Sequence, residues 1–144
     1  KIYLKHRFEG IELFDDVVPT LDRLKGKYKL GLLSNGNSYP EKCGLDGVFD
    51  FAVFAQDCGF EKPDSRIFEF ALLKAGCASN EILHVGDSLR NDIEGARSAS
   101  MASVWLNRDG ENNSTNYIPN FEIETLSQLP EIVGRLNLSY RLCK

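Results

Sequence analysis

HVGDSLRNDIEGA, residues 84–96, joins the end of an apolar run to the start of a helical pattern and carries two aspartates, Asp87 and Asp92. Carboxylates that close repel each other unless something positive lies between them. A strand end, a glycine and two acidic side chains within seven residues suit a hard divalent cation such as Mg²⁺. That ion takes one or two protein carboxylates and keeps several waters. Helix first turns also favour aspartate, so backbone capping is the competing reading of the same pair.

Working outward, four short runs rich in β-branched and aromatic residues read as strands: 28–33, 50–55, 81–85 and 103–106. They lack strict alternation, as strands covered on both faces do. Helical patterns lie between them. Residues 16–25 put Val18, Leu21 and Leu24 on one stripe, with Pro19 in the first turn. In residues 64–76 the set Ile67, Phe68, Ala71, Leu72 and Ala75 repeats with helical spacing, with Asp64 as N-cap and Gly76 as stop. Residues 91–99 predict a shorter helix, 107–119 a polar loop, and 125–137 a closing amphipathic segment with Pro130 as a candidate break. Strands alternating with helices predict an α/β fold with a three-layer, Rossmann-like parallel sheet. Ligands in such sheets bind beyond the carboxyl ends of the strands.

The bulk numbers narrow the classes. A chain of 144 residues makes one domain, and 42% hydrophobic with 26% charged residues is ordinary for a globular protein. A net charge of -4 argues against a nucleic-acid or anionic-membrane partner. No run reaches the length of a membrane span. Cys43, Cys58, Cys77 and Cys143 form no C-x-x-C pair and read as reduced thiols of a cytoplasmic protein. The sequence starts at Lys1 and its one methionine is Met101, which reads as processing or as part of a longer polypeptide.

Two further positions fall in the same predicted crevice. Ser34 closes GLLS and is followed by Asn35-Gly36, so its hydroxyl and the neighbouring N–H groups either face an anion or belong to an ordinary turn. Lys62 precedes Pro63, which keeps it out of helical geometry just ahead of a helix. It reads either as an ammonium facing a phosphate or as a solvated surface lysine. His84 lies inside a strand and reads as a core or supporting histidine, and His6 has no evident partner.

A serine at one strand end, a Lys-Pro before a helix, then G-D-x-x-x-x-D after a later strand resembles the haloacid dehalogenase-like hydrolase superfamily, phosphatase branch. LLSNG, EKPD, HVGDSLRNDIEGA and VWLNR appear in the family's order. The resemblance implies that Ser34, helped by the Asn35 amide, hydrogen-bonds a transferring phosphoryl group. It implies that Lys62 steadies the phosphate, that Asp87 ligates Mg²⁺, and that Asp92 ligates through water or orients the metal's surroundings. Ser34 and Lys62 are then the catalytic candidates, Ser34, Asn35 and Lys62 the phosphate-binding set, and the partner a small phosphorylated molecule. Ser100 stands where relatives usually carry glycine, a departure that costs modest strain if the turn there needs positive φ.

The family's nucleophile is an aspartate in a D-x-D pattern ending an N-terminal strand, and this pattern is not found. Asp15 and Asp16 are adjacent and follow too short an apolar run. The resemblance implies that residues 1–14 are the remnant of a helical cap, that 15–144 form the core, and that the first strand and most of the cap lie upstream. Without that strand, either residues 29–33 pair with 82–86 or a groove stays open between them. The expected activity is that of a Mg²⁺-dependent phosphatase lacking its nucleophile in these residues. A 2-haloacid dehalogenase and a non-catalytic chain of the same fold are the alternatives.

Overall fold

The structure is a computed structural model that describes residues 14–36, 45 and 47–142, with side chains through 136. The expected cap remnant up to residue 13, His6, Cys43 and Cys143 lie outside the described residues. The element order is α1 (Val17–Leu24), β1 (Gly31–Ser34), β2 (Phe51–Phe54), α2 (Ala55–Cys58), α3 (Ser65–Ala75), β3 (Leu83–Gly86), a π-helical turn (Leu89–Glu94), α4 (Gly95–Ser98), β4 (Ala102–Leu106), β5 (Phe121–Ile123) and α5 (Leu129–Leu142).

Every strand pair is parallel. β1 pairs with β2, Ser34 lying opposite Phe54, and β3–β4–β5 form a second ribbon in which His84 faces Ser103. Because successive strand side chains point to opposite faces, each ribbon feeds two apolar layers. Leu32 and Val85 pack with Val17, Leu21, Leu126 and Leu129 under α1 and α5. Leu33 and Val53 pack with Ile67, Phe68, Ala71, Ala96 and Met101 under α3 and α4. The result is the three-layer α/β architecture expected from the sequence.

α3 starts and stops as its sequence dictates. The Asp64 carboxylate accepts from Arg66 N–H at 2.9 Å, and Gly76 takes the left-handed conformation at φ 69°. Pro130 does not break the last helix; it sits in the first turn of α5, where a missing N–H leaves no helical bond unmade. Neither β5 nor α2 is among the elements that the sequence pattern predicts. β5 is three residues long with a buried Ile123 and an exposed Glu122, too short to carry a period. Ser100 has φ 61°, a left-handed conformation that costs a serine about 1 kcal/mol.

Among the described residues no ladder joins β1 to β3. A groove of about 490 Å³ runs there, lined by Gly31 and Phe51 on one side and by Ile82, Leu83 and Val85 on the other, over Leu129. Of the two arrangements expected for this gap, the open one is present. No helix among the described residues is long and apolar enough to cross a membrane.

Candidate functional site

The carboxyl end of β1 carries Ser34, buried at 1% exposure, whose Oγ accepts the Gly36 N–H at 2.9 Å. With that lone pair engaged, the hydroxyl proton remains available to donate. The next residue reaches across to another segment. Asn35 Oδ1 accepts the Lys62 backbone N–H at 2.7 Å, while Asn35 Nδ2 donates to the Lys62 carbonyl at 3.1 Å. One amide therefore satisfies both backbone groups of the lysine and fastens its segment to the end of β1. Asn35→Ala leaves both groups unpaired and is expected to destabilise the fold by about 1–3 kcal/mol. Asn35→Asp keeps the acceptor for the Lys62 N–H but sets a carboxylate oxygen against the Lys62 carbonyl, so it should not restore native stability in urea unfolding.

Lys62 is no surface lysine: its side chain is wholly buried, and Nζ donates to Asp92 Oδ1 at 2.6 Å. Asp92 is equally enclosed. Oδ1 also meets His84 Nε2 at 2.9 Å, and Oδ2 accepts the Ser88 N–H at 3.1 Å. Burial alone would raise this carboxyl, but the hydrogen bond from His84 and the charge and hydrogen bond of Lys62 hold it at about 2. Burial pulls the Lys62 ammonium down, and the charges of Asp92 and Asp87 oppose that pull.

The turn after β3 explains how two aspartates of one stretch take different surroundings. Ile93 N–H bonds Ser88 O, five residues back, at 3.2 Å, and Asn91 N–H bonds Ser88 Oγ at 3.0 Å. This is a π-type turn, a widening found often at functional positions. It brings Asp92 over Gly86, where a Cβ would collide with the Asp92 carboxyl group. Asp87 instead stays exposed at the rim, its carbonyl held by Trp105 Nε1 at 3.2 Å. Among the described residues no three His, Cys, Asp or Glu side chains form a cage. A hard divalent cation that takes one or two protein carboxylates would find one here. Asp87 has the exposure for that part, whereas both oxygens of Asp92 are already engaged.

Sequence reasoning pointed to Ser34, Asn35, Lys62, Asp87 and Asp92. Asn35 and Lys62 are joined directly, Lys62 reaches Asp92, and the Asp87 charge is felt at Lys62. Of the two readings of His84, core or supporting, its contact with Asp92 Oδ1 fits the second, while the parts played by Gly86 and Trp105 were missed. Gly86 follows the apolar run 81–85 and ends β3 in the structure, where a glycine marks close approach of another group. Asp15 is exposed, while Asp16 forms a two-point ion pair with Arg108 at 2.9 and 3.0 Å and accepts the Leu126 N–H.

The family model for haloacid dehalogenase-like hydrolases matches residues 2–100. A curated glyceraldehyde 3-phosphate phosphatase from Methanothermobacter thermautotrophicus is 33% identical over 91% of this chain and 63% of its own length. The structure of 2-haloacid dehalogenase from Pseudomonas syringae superposes with a TM-score of 0.85 at 38% identity, over 88% of this chain and 55% of that one. The putative HAD-hydrolase YfnB from Bacillus subtilis, solved bound to magnesium, gives 0.77 at 27% identity, over 85% and 56%. The chain thus spans only part, 50% to 63%, of the length of these curated relatives. With the strand-end serine, the buried lysine and the G-D turn in the family's order, the chain belongs to the haloacid dehalogenase-like hydrolases.

Proposed function

We propose that these residues form the phosphate- and metal-binding part of a Mg²⁺-dependent phosphatase acting on a small phosphate monoester. The observation that carries the reading is the lysine. Lys62 is fixed at its backbone by Asn35 and at its ammonium by Asp92, with Asp87 exposed nearby. A dianionic ester cannot approach such carboxylates unless cationic charge offsets the repulsion and the charge of the transition state. Ser34 Oγ and the Asn35 backbone N–H are the neutral donors to the phosphoryl oxygens, and Lys62 is the fixed positive charge. Asp87 holds the metal, which when bound polarises the phosphoryl group. Asp92 acts by orienting Lys62 rather than by direct ligation.

The nucleophilic carboxylate enters, in this reading, on a strand that fills the groove between β1 and β3. Both flanking ribbons are parallel, and the groove residues contributed by the strands, Gly31, Phe51, Leu83 and Val85, are apolar. An upstream segment of the same polypeptide is the proposed source.

A second reading, a 2-haloacid dehalogenase, is favoured by the likeness to the Pseudomonas syringae enzyme. It needs neither metal nor a carboxylate at Asp87. The experiment compares residues 1–144 alone with the same chain extended upstream from its gene. The 144 residues should not turn over p-nitrophenyl phosphate, and the extended protein should do so with Mg²⁺ and stop in EDTA. Asp87→Asn in the extended protein should lose roughly a hundredfold or more, the several kcal/mol of charge stabilisation that a catalytic metal supplies. Halide release from 2-chloropropionate without metal, with no phosphate release, would overturn the phosphatase reading in favour of the second.

A further inference from the structure

His84 has no part in the chemistry proposed above, yet it is fully buried on the face of β3 that packs against α3. Its ring meets the edge of Phe68 at 5.2 Å between centroids, nearly perpendicular at 85°. A histidine in such a place is most simply a core residue. Its hydrogen bond argues for more. Nε2 lies 2.9 Å from Asp92 Oδ1, the same oxygen that accepts the Lys62 ammonium, while Oδ2 accepts the Ser88 N–H. Lysine and backbone amide are both donors, so the carboxylate is an acceptor on both oxygens. The remaining neighbour, His84 Nε2, must then donate as well.

The consequence concerns Lys62. A lysine stem has four rotatable carbons and a compact ammonium, so the position of its charge is set by the acceptor that receives it. That acceptor is Asp92, whose carboxylate plane is fixed by three donors from three segments: the Lys62 loop, β3 and the start of the π-helical turn.

We infer that His84 is a positioning residue: its imidazole donates Nε2–H to Asp92 Oδ1 and so holds the carboxylate that carries the Lys62 ammonium. This deepens the phosphatase reading, on which its catalytic consequence rests. The arrangement itself is tested without turnover.

The 144-residue chain is labelled with ¹⁵N-lysine, and the Lys62 ammonium resonance is assigned by its loss in Lys62→Met. His84→Met removes the donor and should speed hydrogen exchange of that ammonium with water about tenfold, as expected when one charged hydrogen bond is lost. His84→Gln, which keeps an N–H donor of similar reach, should restore slow exchange. Thermal melting establishes that both variants are folded. Unchanged exchange in His84→Met, or no restoration in His84→Gln, overturns the inference. Should His84→Met not fold, ¹⁵N-histidine in the native chain decides at neutral pH. A proton on Nε2 supports the inference, and one resident on Nδ1 alone sinks it. Absence of phosphatase activity in the extended protein would remove the catalytic consequence and leave this result standing.

Discussion

Gly86→Ala is expected to destabilise the chain by about 3–5 kcal/mol, the range for a buried ion pair broken from one side. Gly86 does not need to be glycine for its backbone. It ends β3, and its φ lies outside the left-handed region. It needs to be glycine because the Asp92 side chain occupies the space where a Cβ would go, with Cβ, Cγ and Oδ2 all inside contact distance. Asp92 cannot yield toward solvent, being held by Lys62, His84 and the Ser88 amide in a site without exposure. The methyl group must therefore push the carboxylate off its donors, leaving a buried ammonium without its charge partner. A drop in Tm of about 10 °C or more should accompany the loss in a domain of this size. Gly134→Ala supplies the contrast, since a methyl group added at that position of α5 would meet nothing within 4 Å. It should be neutral or stabilising by up to about 1 kcal/mol. Equilibrium unfolding of the two variants beside the native chain tests the placement of Asp92. A Gly86→Ala chain as stable as the native one would refute it.

The same turn shows where sequence reading stops. Strands are legible because four apolar runs are short, β-branched and bounded by polar residues. The first reads as 28–33, but Tyr28 forms only an isolated bridge with Lys25 and the strand runs from Gly31 to Ser34. α3 is legible at both ends because Asp64 and Gly76 act locally, through a hydrogen bond two residues away and a left-handed backbone. The identity of the site residues is likewise local, carried by S-N-G, K-P and G-D. Their environments are not. That Asp92 turns inward and Asp87 outward depends on a π-helical turn that no residue spacing announces. For Lys62 the sequence leaves a phosphate-facing ammonium and a surface lysine both open, and for His84 a core and a supporting role; the contacts with Asp92 decide between them. Lys62 and Asp92 are 30 positions apart, and Asn35 and Lys62 are 27 apart. Over such separations periodicity carries no information.

The sharpest consequence of that enclosure is a reversal of pH dependence in Lys62→Met. In the native chain the Asp92 carboxyl lies at about 2, below its ordinary 3.8. A depressed folded-state value means the ionised group stabilises the fold above the unfolded pKa, and that stability is lost as pH falls through 3.8 toward about 2. Removing the ammonium changes which force wins. Burial, already the largest influence on Asp92, then acts against the hydrogen bond and charge of His84 and the Ser88 hydrogen bond, and with both contributions of Lys62 gone it should drive the carboxyl above its ordinary value. A raised folded-state value has the opposite linkage: the stabilising form is the protonated one, present at low pH and lost as pH rises through the shifted value. Lys62→Met should therefore lose about 3–5 kcal/mol at neutral pH and recover part of it on acidification toward about pH 4.5. The native chain should show no gain from this group over the same interval. Adding Asp92→Asn to Lys62→Met removes the stranded charge while keeping an acceptor for His84. The double variant should be more stable at neutral pH than Lys62→Met alone and should lose the inverted slope. Urea unfolding of the three chains at the two pH values separates these outcomes. A single variant whose stability falls with acid as the native chain's does would show that Lys62 and Asp92 are not the buried partners on which the site is built.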